Sequence, residues 1–179
     1  GLLGVSIPAK YGGSGMDYLA LGLASEELEY VDTSLRVILS VHVGLNCLTL
    51  LAWGTDDQKA RYLMPQARGE KIATYGLTEP SAGSDLASLS TRAVADGDEW
   101  VVNGQKVWNS GAHYSDLGIL LTRTDPDAPK HRGITYFLVD MRTPGVEVRP
   151  LRQITGEAEF NEVFLTDVRI PDSRRLGAV

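Results

Sequence analysis

YGLTEPSAGSD occupies residues 75–85, and NGQKVWNSG follows at residues 103–111. The first stretch starts as a strand and breaks into a turn. Tyr75, Leu77 and Thr78 suit an extended chain, after which Pro80, Ser81, Ala82, Gly83 and Ser84 supply small residues and backbone freedom. Such a turn can expose several backbone N–H groups and hydroxyls to one ligand, because no bulky side chain blocks the approach. The second stretch sets the flat face of Trp108 beside the short polar run Asn109 and Ser110. Small donors next to a flat apolar face are what a flat heteroaromatic cofactor with a polar edge needs.

Outward from these stretches the chain divides near Gly69. Before it the pattern is helical. Asp17 suits the N-cap of a helix to about Tyr30, with Leu19, Leu23, Glu26, Glu27 and Tyr30 at helical spacing. Asp32, Thr33 or Ser34 can cap a second helix that carries the apolar run Leu35 to Trp53 and stops at Gly54. Thr55 and Gln58 form a candidate capping box for a third helix through Met64, ended by Pro65. The run from Leu35 is apolar on most sides and nearly long enough to span a bilayer. It carries Arg36, Ser40, His42, Asn46 and Thr49, which are costly in lipid, so a central helix of a bundle is expected rather than a membrane span. His42 and Asn46 are read as satisfied core polar groups.

After Gly69 the pattern is strands: 71–78, 89–95, 99–108, 116–123, 133–139, 146–151 and 162–170, with turns expected at 96–98 and at Asn103–Gly104. The fold class is therefore α+β. An α-helical portion, residues 1–70, precedes an all-β, barrel-like or sandwich domain, residues 71–174, and residues 175–179 are expected to begin a linker.

The sequence holds 179 residues with a net charge of −6, 43% hydrophobic and 22% charged. The acidic balance argues against general nucleic-acid binding, which needs clustered Lys and Arg. The single cysteine, Cys47, rules out an internal disulfide and a zinc site built from Cys pairs. His42, His113 and His131 show no ligand spacing, so no metal is expected. One cysteine suits a reducing compartment, the cytoplasm or one such as the mitochondrial matrix. The chain opens inside the apolar GLLGVSIP without an initiator methionine and stops at LGAV; both ends read as cut from a longer protein.

The two stretches together resemble the flavin-binding signature of the acyl-CoA dehydrogenase family. The T-E-P-x-A-G-S-D core is present as Thr78, Glu79, Pro80, Ala82, Gly83, Ser84 and Asp85, and N-G-x-K-x-W as Asn103, Gly104, Lys106 and Trp108. The resemblance runs from PAKYGGSG at Pro8–Gly15 to DVRIP at Asp167–Pro171. It implies an FAD-dependent oxidoreductase that converts an acyl-CoA to the 2-enoyl-CoA. It implies electron-transfer flavoprotein as electron acceptor and a homo-oligomer, dimer or tetramer. By the same resemblance Thr78 bonds the flavin ring and Tyr75 and Leu77 line it. Gly83 belongs to the cofactor turn, and Ser84 bonds the pyrophosphate or lies beside the acyl-CoA. Trp108 packs on the isoalloxazine, and Asn109 and Ser110 complete that edge, with Ser110 where threonine is commoner. Lys130 and His131, in the polar loop at Thr124–Arg132, lie near the coenzyme A nucleotide.

Glu79 is read as structural, and Lys106 as paired with an acid or facing solvent. The family's catalytic base, a glutamate, lies on a C-terminal helical domain beyond Val179, so no catalytic residue is expected here and the chain alone is expected to be inactive. Two alternatives share the fold. One is an acyl-CoA oxidase or a nitroalkane-oxidase-like flavoprotein. The other is a non-catalytic partner subunit without flavin, against which the intact Thr78, Ser84 and Trp108 argue.

Overall fold

The computed structural model describes residues 1–178, and the chain divides into two compact units, Gly1–Thr74 and Tyr75–Val179. The first unit is helical. Short 3-10 turns at Leu2–Gly4 and Ala9–Tyr11 lead to α1, Tyr18–Val31. Asp17 caps α1 by accepting the Ala20 N–H at 2.9 Å. Asp32 caps α2, Thr33–Trp53, by accepting the Ser34 N–H at 2.8 Å. In α3, residues 56–67, the Thr55–Gln58 capping box is made in both directions. These starts lie where short polar side chains can take up the free N–H groups of a first turn. The expected stop at Pro65 is not observed: the helix continues to Ala67. A π turn at Lys59–Leu63 immediately precedes it, so Pro65 falls in the first turn of a new α segment, where the N–H it lacks is not needed.

The apolar run is one helix of 21 residues, long and apolar enough by length and composition to cross a membrane. One face of it packs into the core of its unit, while Leu35, Leu45 and Trp53 are exposed. Leu39, Val43, Cys47 and Leu50 are buried along it, as are Val5, Ile7, Leu63 and Ala67. Its middle, Ser40–Cys47, is a π segment. There His42 and Asn46 take hold of one residue. The Ala73 N–H donates to His42 Nδ1 at 3.3 Å, and Asn46 Nδ2 donates to the Ala73 carbonyl at 3.4 Å. Because Nδ1 accepts, Nε2 carries the proton and donates to the Gln66 carbonyl at 2.9 Å. Burial pushes the His42 pKa down, which suits this neutral tautomer. The pair thus bonds backbone rather than each other, and Asn46 Oδ1 stays buried without a partner. By contrast α1 buries none of its residues, and Leu19, Leu23 and Tyr30 are exposed.

The second unit is built on a sheet of eight strands among the described residues: β1 Ala73–Gly76, β2 Arg92–Asp96, β3 Glu99–Ser110, β4 Leu117–Arg123, β5 Ile134–Asp140, β6 Val146–Leu151, β7 Phe160–Pro171 and β8 Arg175–Leu176. The order is β6-β7-β3-β2-β4-β5-β8, with β1 on β4. The path is open, so the expected barrel is not closed. One parallel pair, Arg92 with Arg123, joins β2 to β4. The β6-β7-β3-β2 ribbon and the β4-β5 ribbon share one core, in which Trp100, Val102, Val163, Leu165, Val168 and Ile170 meet Leu120, Phe137 and Val139. Residues 175–176, expected to begin a linker, pair with β5 instead. Asp172 fixes that exit by accepting from Trp100 Nε1 at 2.7 Å and from Arg175 Nε at 2.7 Å.

The expected turn at Asn103–Gly104 is a correction of larger consequence, because β3 runs straight through it. The hairpin turn lies at Gly97–Asp98, where Gly97 has φ of 65°. Asn103 faces a bulge in β7. It accepts the Asp167 N–H at 2.9 Å and donates Nδ2 to Asp167 Oδ1 at 3.0 Å, while Asp167 takes φ of 50°. Gly104 lies where a Cβ would come within 2.5 Å of Thr91 Oγ1, at φ of 154°. Asn-Gly here serves a bulge and a close backbone approach rather than a hairpin. Gly104→Ala is expected to cost about 2–3 kcal/mol and Gly97→Asn less than about 1 kcal/mol, measured by urea unfolding. Equal costs would contradict this account of Gly104.

Candidate functional site

Strand β1 ends at Gly76, and the chain continues through Thr78 into a tight reversal. Glu79 and Ala82 exchange backbone hydrogen bonds at 3.0 and 3.1 Å, leaving Pro80 and Ser81 as its two corner residues. The segment is fastened along β3. Asn109 Nδ2 donates to the Tyr75 carbonyl at 2.8 Å, Lys106 Nζ to the Leu77 carbonyl at 3.1 Å, and the Val107 N–H to the Thr78 carbonyl at 2.8 Å. The two sequence stretches are therefore one wall.

A buried ion pair anchors that wall. Lys106 Nζ lies 2.8 Å from Glu79 Oε1, and both side chains are almost wholly buried, at 0% and 2% exposure. Glu79 Oε1 also accepts the Thr91 N–H at 2.8 Å, while Oε2 accepts Ser90 N–H at 2.6 Å and Ser90 Oγ at 2.7 Å. Burial alone would raise the carboxyl pKa, but the bonds from Lys106, Thr91 and Ser90 outweigh it and hold the group at about 2. Burial pulls the Lys106 pKa down from the usual lysine range, and Glu79 opposes that shift. A carboxylate with four donors around it is held as an anion and has no lone pair turned to solvent. Glu79 is structural, as its sequence context suggested, and Lys106 is its partner rather than a solvent-facing charge.

The strand period changes at this wall. In β3 the inward residues are Trp100, Val102 and Lys106, all even-numbered, then Asn109. Between the pairs Lys106–Val163 and Asn109–Asn161, β3 carries one residue more than β7. At this bulge Trp108 takes φ of 65°. Positive φ at a bulky residue costs about 1–3 kcal/mol and is held only by its surroundings. The consequence is exposure: Trp108, which continued alternation would bury, is 59% exposed, its ring edge-on to Phe160 at 6.2 Å between centroids.

The expected site residues divide accordingly. Trp108, Gly83 and Ser84 are exposed, and Tyr75, Leu77, Thr78 and Ser110 are half-buried. A Cβ built on Gly83 would meet nothing within 4 Å, so the turn is open there. Burial, then a bond with Tyr136, raises the Tyr75 pKa above the usual tyrosine range, keeping its hydroxyl neutral. Asn109 has its side chain turned inward, 1% exposed, where Nδ2 holds the Tyr75 carbonyl. Lys130 and His131 are exposed on their loop, and Lys130 pairs with Asp85, the neighbour of Ser84. Hydrogen bonds from Lys130 and Ser88 lower the Asp85 pKa, and His131 adds a weaker attraction. Arg123 ties this loop to the turn, donating to the carbonyls of Lys130, Arg132 and Ala87 at 3.2, 2.7 and 2.6 Å.

Sequence reasoning missed Arg123, Asn161 and the bulge. Asn161 gave a signal: a polar residue one step before the inward Val163 and Leu165 of an alternating strand.

The ion pair yields a test. Glu79→Gln leaves the Lys106 charge buried without an anion and is expected to destabilise by about 3–5 kcal/mol. Adding Lys106→Met should recover part of that loss in a denaturation cycle. The folded pKa lies below the ordinary carboxylate value, so the Glu79 contribution is complete above about pH 4.5 and is lost as pH falls toward 2. The double variant should lack that share of the acid sensitivity; an unchanged acid profile would contradict it.

Residues 74–168 match the family described as acyl-CoA dehydrogenase, middle domain, and residues 1–70 match acyl-CoA dehydrogenase, N-terminal domain. An acyl-CoA dehydrogenase of Mycobacterium tuberculosis is 43% identical over 181 residues, which cover 99% of this chain and 46% of that protein. The human mitochondrial short-chain specific acyl-CoA dehydrogenase is 38% identical over 180 residues, 99% of this chain and 43% of that protein. A glutaryl-CoA dehydrogenase from Mycobacterium smegmatis, solved in complex with FADH2, superposes with a TM-score of 0.90 at 33% identity, covering 100% of this chain and 45% of that one. The chain thus spans less than half the length of these relatives. With both family domains matched in order across the two units, this chain belongs to the acyl-CoA dehydrogenase family.

Proposed function

We propose that this chain forms a flavin-binding wall of an FAD-dependent oxidoreductase acting on the Cα–Cβ bond of an acyl-CoA thioester. The observation that carries the reading is the exposure of Trp108 by a strained bulge, on a strand fastened to the Thr78 turn. A large aromatic held outward at a conformational cost suits ligand contact better than packing. The residues present fit an isoalloxazine. Trp108 offers the flat face, Thr78 and Ser110 the hydroxyl donors, Tyr75 and Leu77 a half-buried lining, and the open turn at Gly83 and Ser84 approach for a pyrophosphate or the acyl-CoA. When bound, the flavin supplies the acceptor for the hydride leaving the substrate.

The chain's own residues bind and orient. No proton-abstracting role falls to Glu79, whose oxygens are already bonded. Lys130 and His131 are proposed to lie near the coenzyme A nucleotide, where Lys130 would exchange Asp85 for a phosphate. Electron-transfer flavoprotein as acceptor and a homo-oligomeric assembly complete the proposal, supported by family membership. The fully buried Cys47 is compatible with the proposed reducing compartment.

FAD titration of the chain, followed by quenching of flavin fluorescence, tests the reading. Trp108→Ala is expected to weaken binding by about 1–3 kcal/mol and Thr78→Val by about 1 kcal/mol. An FAD-loaded chain mixed with an acyl-CoA panel without oxygen should show no flavin bleaching. FAD affinity unchanged in a folded Trp108→Ala protein would overturn the site, and rapid bleaching would place a base within these residues.

A further inference from the structure

The strained bulge needs something to hold it, and one side chain is placed to do so. Asn161, on β7, is fully buried and stands opposite Asn109, the residue after Trp108. Its Nδ2 donates to the Asn109 carbonyl at 2.9 Å and to the Glu159 carbonyl at 3.3 Å. Both acceptors are carbonyl oxygens, so the amide nitrogen must face them and Oδ1 must face the other way. Oδ1 lies 3.1 Å from His113 Nδ1. An amide oxygen can only accept, so His113 carries its proton on Nδ1. The carboxamide is thus oriented at both ends. Around it the backbone closes: Gly111 N–H donates to the Glu159 carbonyl at 2.9 Å, and Asn109 Nδ2 reaches Tyr75.

These bonds do what a regular ladder cannot. The Val107 N–H is directed to Thr78 rather than along β7, and Trp108 is the extra residue at positive φ. Asn161 catches the strand immediately beyond, where the ladder resumes with inverted phase. A valine there, as the alternation of Val163 and Leu165 would allow, has no donor for the Asn109 carbonyl. The bulge could then relax by slipping one residue, turning Trp108 inward and Asn109 outward.

We propose that Asn161 is a positioning residue whose carboxamide holds the β3 bulge and thereby fixes the outward posture of Trp108 for a flat aromatic ligand. The ligand half of this inference rests on the flavin reading above; the posture half does not.

The test is 19F NMR on the chain carrying 5-fluorotryptophan. Trp53, Trp100 and Trp108 give three resonances, each assigned by a Trp→Phe substitution. In Asn161→Ala, well below its unfolding temperature, the Trp108 resonance should shift or broaden while those of Trp53 and Trp100 stay. FAD affinity should fall about tenfold, the equivalent of one lost hydrogen bond. Asn161→Asp keeps the shape and loses both donors, so it should act in the same direction and carries the test if the alanine variant does not fold. A merely structural Asn161 would lower the unfolding temperature and leave the Trp108 resonance in place; that result in either folded variant overturns the proposal. Failure of the unsubstituted chain to bind FAD would strike at the flavin reading alone, because the 19F comparison decides the posture without any ligand.

Discussion

The β unit depends on one buried contact, the ion pair between Glu79 and Lys106. A lysine ammonium wholly removed from water is tolerated only beside an anion and with its remaining donors bonded. Here those conditions fix four segments at once. Lys106 brings β3, the Leu77 carbonyl brings the end of β1, Glu79 brings the reversal after Thr78, and the Ser90 and Thr91 donors bring the start of β2. An apolar pair of the same volume could fill this space, but without directional bonds it would not join these four segments at one point. The polar pair gives direction, and it fixes the chain on both sides of Thr78, at Leu77 and at Glu79.

Around this anchor the faces of β3 and β7 are set by two bulges of opposite assignment. In β7 the inward residues are Asn161, Val163 and Leu165, then Val168 and Ile170; the extra residue is Asp167, held by Asn103. In β3 the phase changes at Trp108, held through Asn161. Since one inserted residue exchanges the two faces of everything beyond it, each strand serves two surfaces in sequence. Near Trp100 the pair builds the apolar core. Near Trp108 it offers an aromatic face outward and turns amides inward. Asparagine at both controlling positions, Asn103 and Asn161, reflects chemistry: a short side chain with a donor and an acceptor can satisfy the backbone groups that a bulge leaves unpaired.

Helix starts were legible because an N-cap is a local contract between one side chain and the N–H two or three residues on, as at Asp17, Asp32 and Thr55. Strand β6 was legible for its clean bounds, and the paired motifs located the wall. Asn103–Gly104 misled because its turn propensity is a property of the dipeptide, whereas its use is set by Asp167, 64 residues away. Pro65 misled because proline stops a helix from its interior, whereas here it falls in the first turn of the α segment that follows a π turn. The orientation of Asn109 was hidden in the same way. A strand pattern predicts faces only while the register holds, and nothing in NGQKVWNSG announces the inserted residue. What separated Trp108 from an ordinary core tryptophan was its company, not its period.

The electrostatics of the wall follow from how its charges are already paired. Lys106 is neutralised within the protein, Arg123 donates to carbonyls, and Lys130 pairs with Asp85 on an exposed edge where such a pair is worth little. An anionic ligand approaching an acidic chain would therefore meet few uncommitted cations beside Ser84. Attraction would come from hydroxyls, from N–H groups of the open turn, and from Lys130 once it leaves Asp85. Neutral donors held in place lose little entropy on binding and are insensitive to bulk salt, whereas long-range steering by charge is screened beyond about 8 Å at physiological ionic strength. The rigidity supplied by Glu79, Lys106 and Asn161 is thus what would let a wall with little net positive charge favour a charged, flat ligand: the backbone of the turn is already fastened, and the ring is already turned out.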